Sequence, residues 1–492
     1  MQNKILNIYE FETKSGNRYI FDNATGRVIP VDEDIKYIIK NFSKDKELIL
    51  ANLNQRNSEN KSEQENKYNY IDKLIRSGHF YTNELPYPID KSFCNINLNK
   101  SPASQLILIV TEKCNLRCKY CVYSEHYPDK KTYTNKVMDF KTAKKAVDNY
   151  ISIYKEKKEN GFRKKPIISF YGGEPFLEYK LIDEVANYCK SIGFDADYAI
   201  TTNGTVMNSE VLDIILKHNI QITYSLDGYK ENHDRNRVFD NEKKSFDVVI
   251  KNIKLVQQKR EELGLKVPTN IMACYDSYTD MEKMVSFFEE MKLDIGEFGV
   301  RLTKVYELDT TYYDYCEQQF KLGEIKQDNK TLQNTLKRLQ EQYIYNAVNS
   351  IEQPTTLEFI FQALSFMKNR AQGPISPTGS ACAVGDKIAV DSEGKYYVCE
   401  KATQEYEIGS IDIGLDESKV YKMYDEFLSI RNKHCSSCPF NRICDVCYVH
   451  LMKGNKLEFN EEFCINKKHQ LSKLLEILYS VLEQNQDAFS LV

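Results

Sequence analysis

The chain has 492 residues, too many for one ordinary hydrophobic core, so two or three domains are expected. A formal net charge of −4 argues against a nucleic-acid polyanion as partner. The start, "MQNKILNIYEFETKSGNRYIF", lacks the apolar core of a signal peptide, and no run approaches the roughly 18 apolar residues of a membrane span, so a cytoplasmic location without a membrane partner is expected.

In chain order, "ILNIYEFET", "RYIFD" and "GRVIPVD" read as three short strands with turns at "KSGN" and "NATG". "DEDIKYIIKNFS" and "YNYIDKLIRSGHF" read as amphipathic helices, separated by the polar run "NQRNSENKSEQENK", which reads as a mobile loop. Three strands followed by helices resemble a small winged-helix recognition element over residues 1–90, without the basic patch a DNA-binding winged helix needs. From residue 100 to 310 strand and helix alternate. Apolar runs at "LILIV" (106–110), "IISFYGG" (167–173), "YAITTNG" (198–204), "IQITYSLDG" (220–228), "TNIMAC" (269–274) and "FGVRL" (298–302) predict buried parallel strands. Six such units imply an α/β fold, an open or partial (β/α)6 barrel with its chemistry at the C-terminal ends of the strands. A helical bridge over 311–375 and a C-terminal domain over 376–492 complete the expected organisation.

Fourteen cysteines in a large chain of a reducing compartment point to metal or cluster binding rather than disulfides. Four are scattered (Cys94, Cys189, Cys274 and Cys316) and read as small buried hydrophobes. Three lie in "TEKCNLRCKYC": Cys114, Cys118 and Cys121, spaced C-x3-C-x2-C in the loop after the first barrel strand. A cubane takes four thiolates, and a structural zinc also needs a fourth protein ligand, so either reading leaves one position open. "YGGEP" follows the second strand, and Gly172 and Gly173 there let the backbone approach a ligand closely. "TTNGT" and "SLDGYKENHDRNR" end the third and fourth strands. A second group reads Cys382-x11-Gly394-x4-Cys399, a gap, Cys435-x2-Cys438-x5-Cys444-x2-Cys447, a gap, and Cys464. Paired zinc ribbons are the competing reading of that group.

The first cysteine motif resembles the signature of the radical S-adenosylmethionine (SAM) superfamily. The resemblance implies a [4Fe–4S] cluster on Cys114, Cys118 and Cys121, with the amino and carboxylate groups of SAM on the fourth iron. By it, Gly172, Gly173 and Glu174 would receive the SAM ammonium, and Asn203 would belong to the SAM site. Ser225 and Arg237 would bind its carboxylate, the latter as a bidentate guanidinium. Tyr120 would stack on adenine, or else is a surface aromatic, and Asp227, His233 and Asp234 would brace their loop. The second group resembles the seven-cysteine SPASM domain, except that its fifth and sixth cysteines are separated by x2 where the family usually has x3, which bears on Cys447. That resemblance implies two auxiliary [4Fe–4S] clusters, three clusters in all. One would lie on Cys435, Cys438, Cys444 and Cys464. The other would lie on Cys382, Cys399 and Cys447, one thiolate short unless Cys94, Cys274 or Cys316 supplies it.

The whole chain resembles a radical SAM/SPASM maturase of ribosomally made peptides, closest to the thioether-forming (ranthipeptide or sactipeptide-like) branch. The implied partners are a precursor peptide whose leader adds as a strand to the N-terminal sheet, and a reductant such as flavodoxin or ferredoxin. A carbon–carbon cyclase or epimerase of peptides, an anaerobic sulfatase maturase, and an iron–sulfur electron carrier or redox sensor are the alternatives. The catalytic residue itself is not legible.

Overall fold

The computed structural model describes residues 4–56, 61–83, 101, 103–127, 132–305, 307, 310–326, 329–361, 364, 377–379 and 381–488. The N-terminal unit contains strands β1 (Lys4–Leu6), β2 (Ile8–Glu12), β3 (Arg18–Asp22) and β4 (Arg27–Pro30), helices α1 (Glu33–Asn41), α2 (Lys46–Arg56) and α3 (Lys61–Arg76), and strand β5 (Tyr81–Asn83). The segment expected as one first strand is split at Asn7. β1 pairs with β5, whereas β2 joins the antiparallel sheet β2-β3-β4.

A second difference concerns the polar run expected as a mobile loop. α2 runs into it as far as Arg56, and α3 begins at Lys61 within it. Its residues 61–63, 65 and 66 form the exposed face of α3, while Gln64 turns inward, and the inner faces of the two helices bury Ile49, Leu53, Tyr68 and Ile71. Lys67 reaches Asp32 at 2.6 Å and Asp34 at 3.2 Å, and the Gln64 amide donates to the Leu53 carbonyl at 3.1 Å. Local composition reported the solvated face, and tertiary packing set the conformation.

Strands β6 (Gln105–Thr111), β7 (Ile167–Gly172), β8 (Asp197–Thr202), β9 (Gln221–Ser225), β10 (Thr269–Tyr275) and β11 (Gly299–Lys304) pair in sequence order, all parallel. Between them run α4 (Phe140–Glu159), α5 (Tyr179–Ser191), α6 (Ser209–Lys217), α7 (Lys230–Asn236), α8 (Phe246–Glu262) and α9 (Met281–Ile295). Caps recur at the helix starts: Asp139, Asn208 and Asp280 each accept an amide of the first turn. The apolar run of β6 is buried almost throughout, as a strand covered on both faces must be.

Among the described residues, α10 (Tyr312–Lys321), α11 (Asn329–Val348) and α12 (Thr355–Phe361) follow. The chain then returns to the sheet. β12 (Lys387–Val390) lies parallel beside β6, with Lys387 opposite Gln105, and β13 (Lys395–Tyr397), β14 (Gly409–Ser410) and β15 (Gly414–Leu415) extend it. The result is one open ten-stranded sheet from β11 to β15. Helices α13 (Glu417–His434) and α14 (Tyr448–Leu451), the β16 (Met452–Lys453) and β17 (Lys456–Leu457) pair, and α15 (Glu461–Leu482) close the chain.

The N-terminal unit docks on this C-terminal part. Arg442 donates from its amide to Asn23 Oδ1 at 3.0 Å and from its side chain to the carbonyls of Asn23 and Ala24. Tyr9 packs on Phe440 and Phe11 on Tyr479 of α15. Among the described residues no helix is long and apolar enough to cross a membrane.

Candidate functional site

The loop after β6 carries Cys114, Cys118 and Cys121 at the C-terminal rim of the sheet, and each thiol lies within electrostatic reach of another. Burial pushes the Cys114 thiol up to about 12 and raises Cys118 as well, with Arg237 opposing the rise at Cys118. These thiols are therefore neutral by themselves and ionise only where a strong cation replaces the lost hydration. The Leu116 amide approaches Cys114 Sγ at 3.4 Å, Asn203 Nδ2 lies 3.8 Å from it, and Arg237 Nη1 lies 3.8 Å from Cys118 Sγ.

The Gly-Gly turn after β7 is shaped by contact with that loop. A Cβ on Gly172 would fall 2.1 Å from the Thr111 carbonyl oxygen, and one on Gly173 would fall 2.1 Å from that of Lys113. Gly172 also has a φ of +145°. Any side chain here must push the cysteine loop's own backbone. Gly173→Ala is therefore expected to lose most of the iron bound through Cys114, Cys118 and Cys121. Iron counting on the reconstituted variant checks this, and an iron content equal to the parent would refute the close-approach argument.

Glu174, the residue expected at the SAM ammonium, follows the Gly-Gly turn directly. It is fully buried, with Oε1 accepting from the Phe176 amide (3.0 Å) and Thr202 Oγ1 (2.7 Å), and Oε2 accepting from the Asn203 amide (2.7 Å). Burial pushes its carboxyl up to about 7 despite these donors. What the geometry gives Glu174 is the tie between the ends of β7 and β8. Asn203 stands next to Cys114, and Ser225 ends β9 half-buried.

Asp227, fully buried after β9, is the hub of the rim. Its Oδ2 accepts from Arg237 Nε at 3.0 Å and from the Tyr120 hydroxyl, and its Oδ1 accepts from the Cys274 amide at 2.9 Å. The Tyr120 ring lies under the Arg237 guanidinium and edge-on to Tyr312, so it is no surface aromatic. Nearby, His233 Nδ1 accepts from the Asp227 amide, and Asp234 accepts the first amides of α8, both bracing contacts.

The auxiliary cysteines fall into two sets. Cys435, Cys438, Cys444 and Cys464 line one cavity of about 40 Å³, walled by Phe427, Phe440, Leu451 and Phe463 among others. That is room for more than one water, and Arg431, Asn441, Asn460, Lys467 and Lys468 share the lining with the apolar side chains. Burial pushes Cys435 up to about 12 and Cys444 up to about 11. Cys399 lies within reach of Cys447, and Cys447 of Cys382. His450 stands against this second set, its Nδ1 3.4 Å from Cys447 Sγ. Cys274 and Cys316 pack instead with Tyr120 and Tyr312, Cys189 lies in the main core, and Cys94 lies outside the described residues.

Among the described residues no three His, Cys, Asp or Glu side chains converge tightly enough for a single metal ion. A cubane is wider, its thiolates each bonding a different iron, and the donor chemistry fits it: three thiols in one loop, four around one cavity, three in the remaining set.

Sequence reasoning missed the aromatic cover of the first loop, where Tyr123 and Tyr133 stack and Arg117 lies over the Tyr133 ring. It also missed Tyr171 at the end of β7, which shares the rim with Glu400, Cys121 and Cys274. Tyr171 directly precedes Gly172, so its place beside the Gly-Gly turn was a usable signal. Nothing local marked Glu400.

Residues 108–288 match the family model described as the radical SAM superfamily. The chain is 33% identical to "Uncharacterized protein MJ0907" of Methanocaldococcus jannaschii over 40% of this chain and 59% of that protein. It is 23% identical to the radical SAM cyclopropyl synthase TigE of Paramaledivibacter caminithermalis, over 75% of this chain and 73% of that one. The match with the first of these thus spans less than two thirds of the relative's length. Among solved structures, native anSMEcpe with bound AdoMet and Cp18Cys peptide superposes with a TM-score of 0.53 at 19% identity, covering 79% of this chain and 99% of that chain. A likeness at that identity establishes the fold.

Proposed function

We propose that this chain, a radical SAM protein through residues 108–288, modifies a ribosomally made precursor peptide and closes thioether crosslinks from cysteine sulfur to carbon. The observation that carries the reading is the division of the auxiliary cysteines, four around one cavity and three apart from it. Three thiols supply three positions of a four-iron cluster, and a substrate cysteine sulfur is a fitting fourth donor.

When bound and reduced, the cluster of the first loop together with SAM supplies a 5′-deoxyadenosyl radical that takes a hydrogen atom from a substrate carbon. Cys114, Cys118 and Cys121 would hold that cluster. Gly172 and Gly173 keep the neighbouring loop close, and the Asp227–Arg237–Tyr120 group fixes the opposite wall. Arg237, held at Nε by Asp227, would offer its remaining N–H groups to a carboxylate. The tyrosine cover over the loop would exclude water from a reactive carbon centre. The electron is supplied by a small reductant such as flavodoxin or ferredoxin.

The leader is proposed to add to β4. That strand is the outer member of the sheet on one side, while β2 on the other side packs against α15. The likeness to a protein solved with AdoMet and a peptide supports a peptide substrate. A 23% identity with the serine-type anaerobic sulfatase-maturating enzyme of Klebsiella pneumoniae, over 72% of this chain and 84% of that one, favours a sulfatase-maturase-like reaction as the second reading, and the cysteine count weighs against it.

The test uses the chain with Cys114, Cys118 and Cys121 replaced by Ala, so that auxiliary signals stand alone. The cognate peptide with its cysteines intact is expected to change the paramagnetic resonance of the Cys382, Cys399 and Cys447 cluster, and its Cys→Ala form to leave it unchanged. With the parent enzyme, SAM and dithionite, the intact peptide is expected to lose two hydrogens per crosslink. Identical spectra with both peptides would remove the sulfur-ligation reading.

A further inference from the structure

The turn that supplies three thiols of the four-cysteine set also carries contacts of a second kind. Residues 435–444 leave the end of α13 and are held among themselves by one-turn hydrogen bonds. The Cys438 amide donates to the Cys435 carbonyl and Asn441 to Cys438, each at 3.1 Å, and Cys444 donates to Phe440 at 2.9 Å. Cys435, Cys438 and Cys444 line the cavity, while Ser436, Phe440 and Arg442 between them meet the N-terminal unit. The Ser436 carbonyl accepts from Asn7 Nδ2 at 3.5 Å, and Asn7 is where the first strand breaks. The Arg442 amide donates to Asn23 Oδ1 at 3.0 Å, and Asn7 and Asn23 are both buried. Phe440 takes part on both sides, since it walls the cavity and its ring centroid lies 4.5 Å from that of Tyr9.

The fourth thiol has a similar setting. Cys464 lies in the first turn of α15, and farther along that helix Ser472 pairs with the Tyr9 hydroxyl at 2.6 Å and Ser480 accepts from the Lys14 amide at 3.2 Å. Tyr479 packs there on Phe11 and Tyr19. The turn and the helix that supply the four thiols are thus also the floor on which the N-terminal sheet rests. Fixing a short turn costs conformational entropy, and a second partner that meets the turn already fixed is spared that cost. Two partners that share one turn therefore favour each other.

We propose that filling of the four-cysteine site and docking of the N-terminal unit are one linked equilibrium. A cluster on Cys435, Cys438, Cys444 and Cys464 fixes the surface that receives Asn7, Tyr9 and Asn23, and its loss loosens the unit that is proposed to take the leader. The inference rests on the reading that these four thiols hold a cluster. Metal binding to a site that is not rigid without it is coupled to the order of the surrounding chain. Such coupling is reciprocal, so the docked unit makes the site hold its cluster more firmly by the factor with which the cluster favours docking. A chain that has not acquired this cluster, or has lost it, would thereby present its peptide-recognition unit poorly.

The experiment uses the full chain reconstituted with iron and sulfide, as the parent, as Cys435→Ala with Cys444→Ala, and as Asn23→Ala. Iron is counted first. Hydrogen exchange is then read on peptides that cover Lys14, because its partner Ser480 stands about 24 Å along α15 from Cys464, beyond any local effect of an empty site. The double cysteine variant is expected to lose about four irons and to exchange around Lys14 about tenfold faster. Asn23→Ala alters no cysteine and removes the acceptor of the buried Arg442 amide, so it is expected to give up iron to a chelator about tenfold faster than the parent. Loss of iron with unchanged exchange around Lys14 overturns the linkage and leaves the cluster reading intact. A double cysteine variant that binds as much iron as the parent overturns the cluster reading, and the linkage with it. Should that variant fail to fold, Asn23→Ala decides alone: iron loss at the parent's rate overturns the linkage, and faster loss upholds it.

Discussion

Replacing Cys114, Cys118 and Cys121 together with Ala is expected to abolish formation of 5′-deoxyadenosine and to remove about four irons per chain, leaving the auxiliary iron in place. The expectation follows from position as much as from motif. The three thiols share one loop at the rim, burial raises the pKa of Cys114 and Cys118, and the Gly-Gly turn is locked against the loop's backbone. The auxiliary sets lie on separate elements, from the approach to β12 through to α15, so the triple variant should fold around them. Product analysis after incubation with SAM and dithionite, together with iron counting, provides both readouts. A triple variant that still cleaves SAM would show that the loop is not the reacting centre.

The second large effect is expected at Asp227. Its carboxylate is fully buried, pairs with a guanidinium that is itself buried, and accepts the Tyr120 hydroxyl and the Cys274 amide as well. Asp227→Ala would leave the Arg237 charge unanswered in the rim and is expected to cost about 3–5 kcal/mol. Asp227→Asn should not rescue it, because the amide turns a donor toward one of the three donors the carboxylate accepts. Removing the cation too, as in Asp227→Ala with Arg237→Leu, should recover part of the loss. Thermal melting of the three variants checks this ordering. A double variant melting below the Asp227→Ala single would mean that the pair is not what holds the rim.

Much of the barrel was legible because its strands are buried on both faces. "LILIV" and "IISFYGG" are continuous apolar runs, and such runs announce themselves. The cysteine loop was legible for a different reason, since a donor set spaced within eight residues needs no tertiary information. The N-terminal helices were only half legible, because the polar run from Asn54 to Lys67 looks the same whether it is loop or the outer face of a helix. What distinguished them was the remote partners of Lys67 and Gln64. The hydrogen bonds of Glu174 were not legible for a similar reason, since the Thr202 and Asn203 donors that engage its carboxylate come from the next strand, 28 and 29 residues on.

The seating of β12 beside β6 sets an order on how this molecule comes into being. Residues 105–108 must pair with residues 387–390, so one flank of the most apolar strand in the sheet has no neighbour until the chain is nearly complete. During synthesis an open, hydrophobic β-edge would be on offer, the kind of edge that recruits other chains. Pairing at that sequence separation is also slow to find. A fragment ending near residue 310 would keep that edge for good. It should therefore express as aggregate, whereas a fragment carried past residue 415 should be soluble, and a cell making this protein would have reason to hold the nascent chain until its last quarter has emerged.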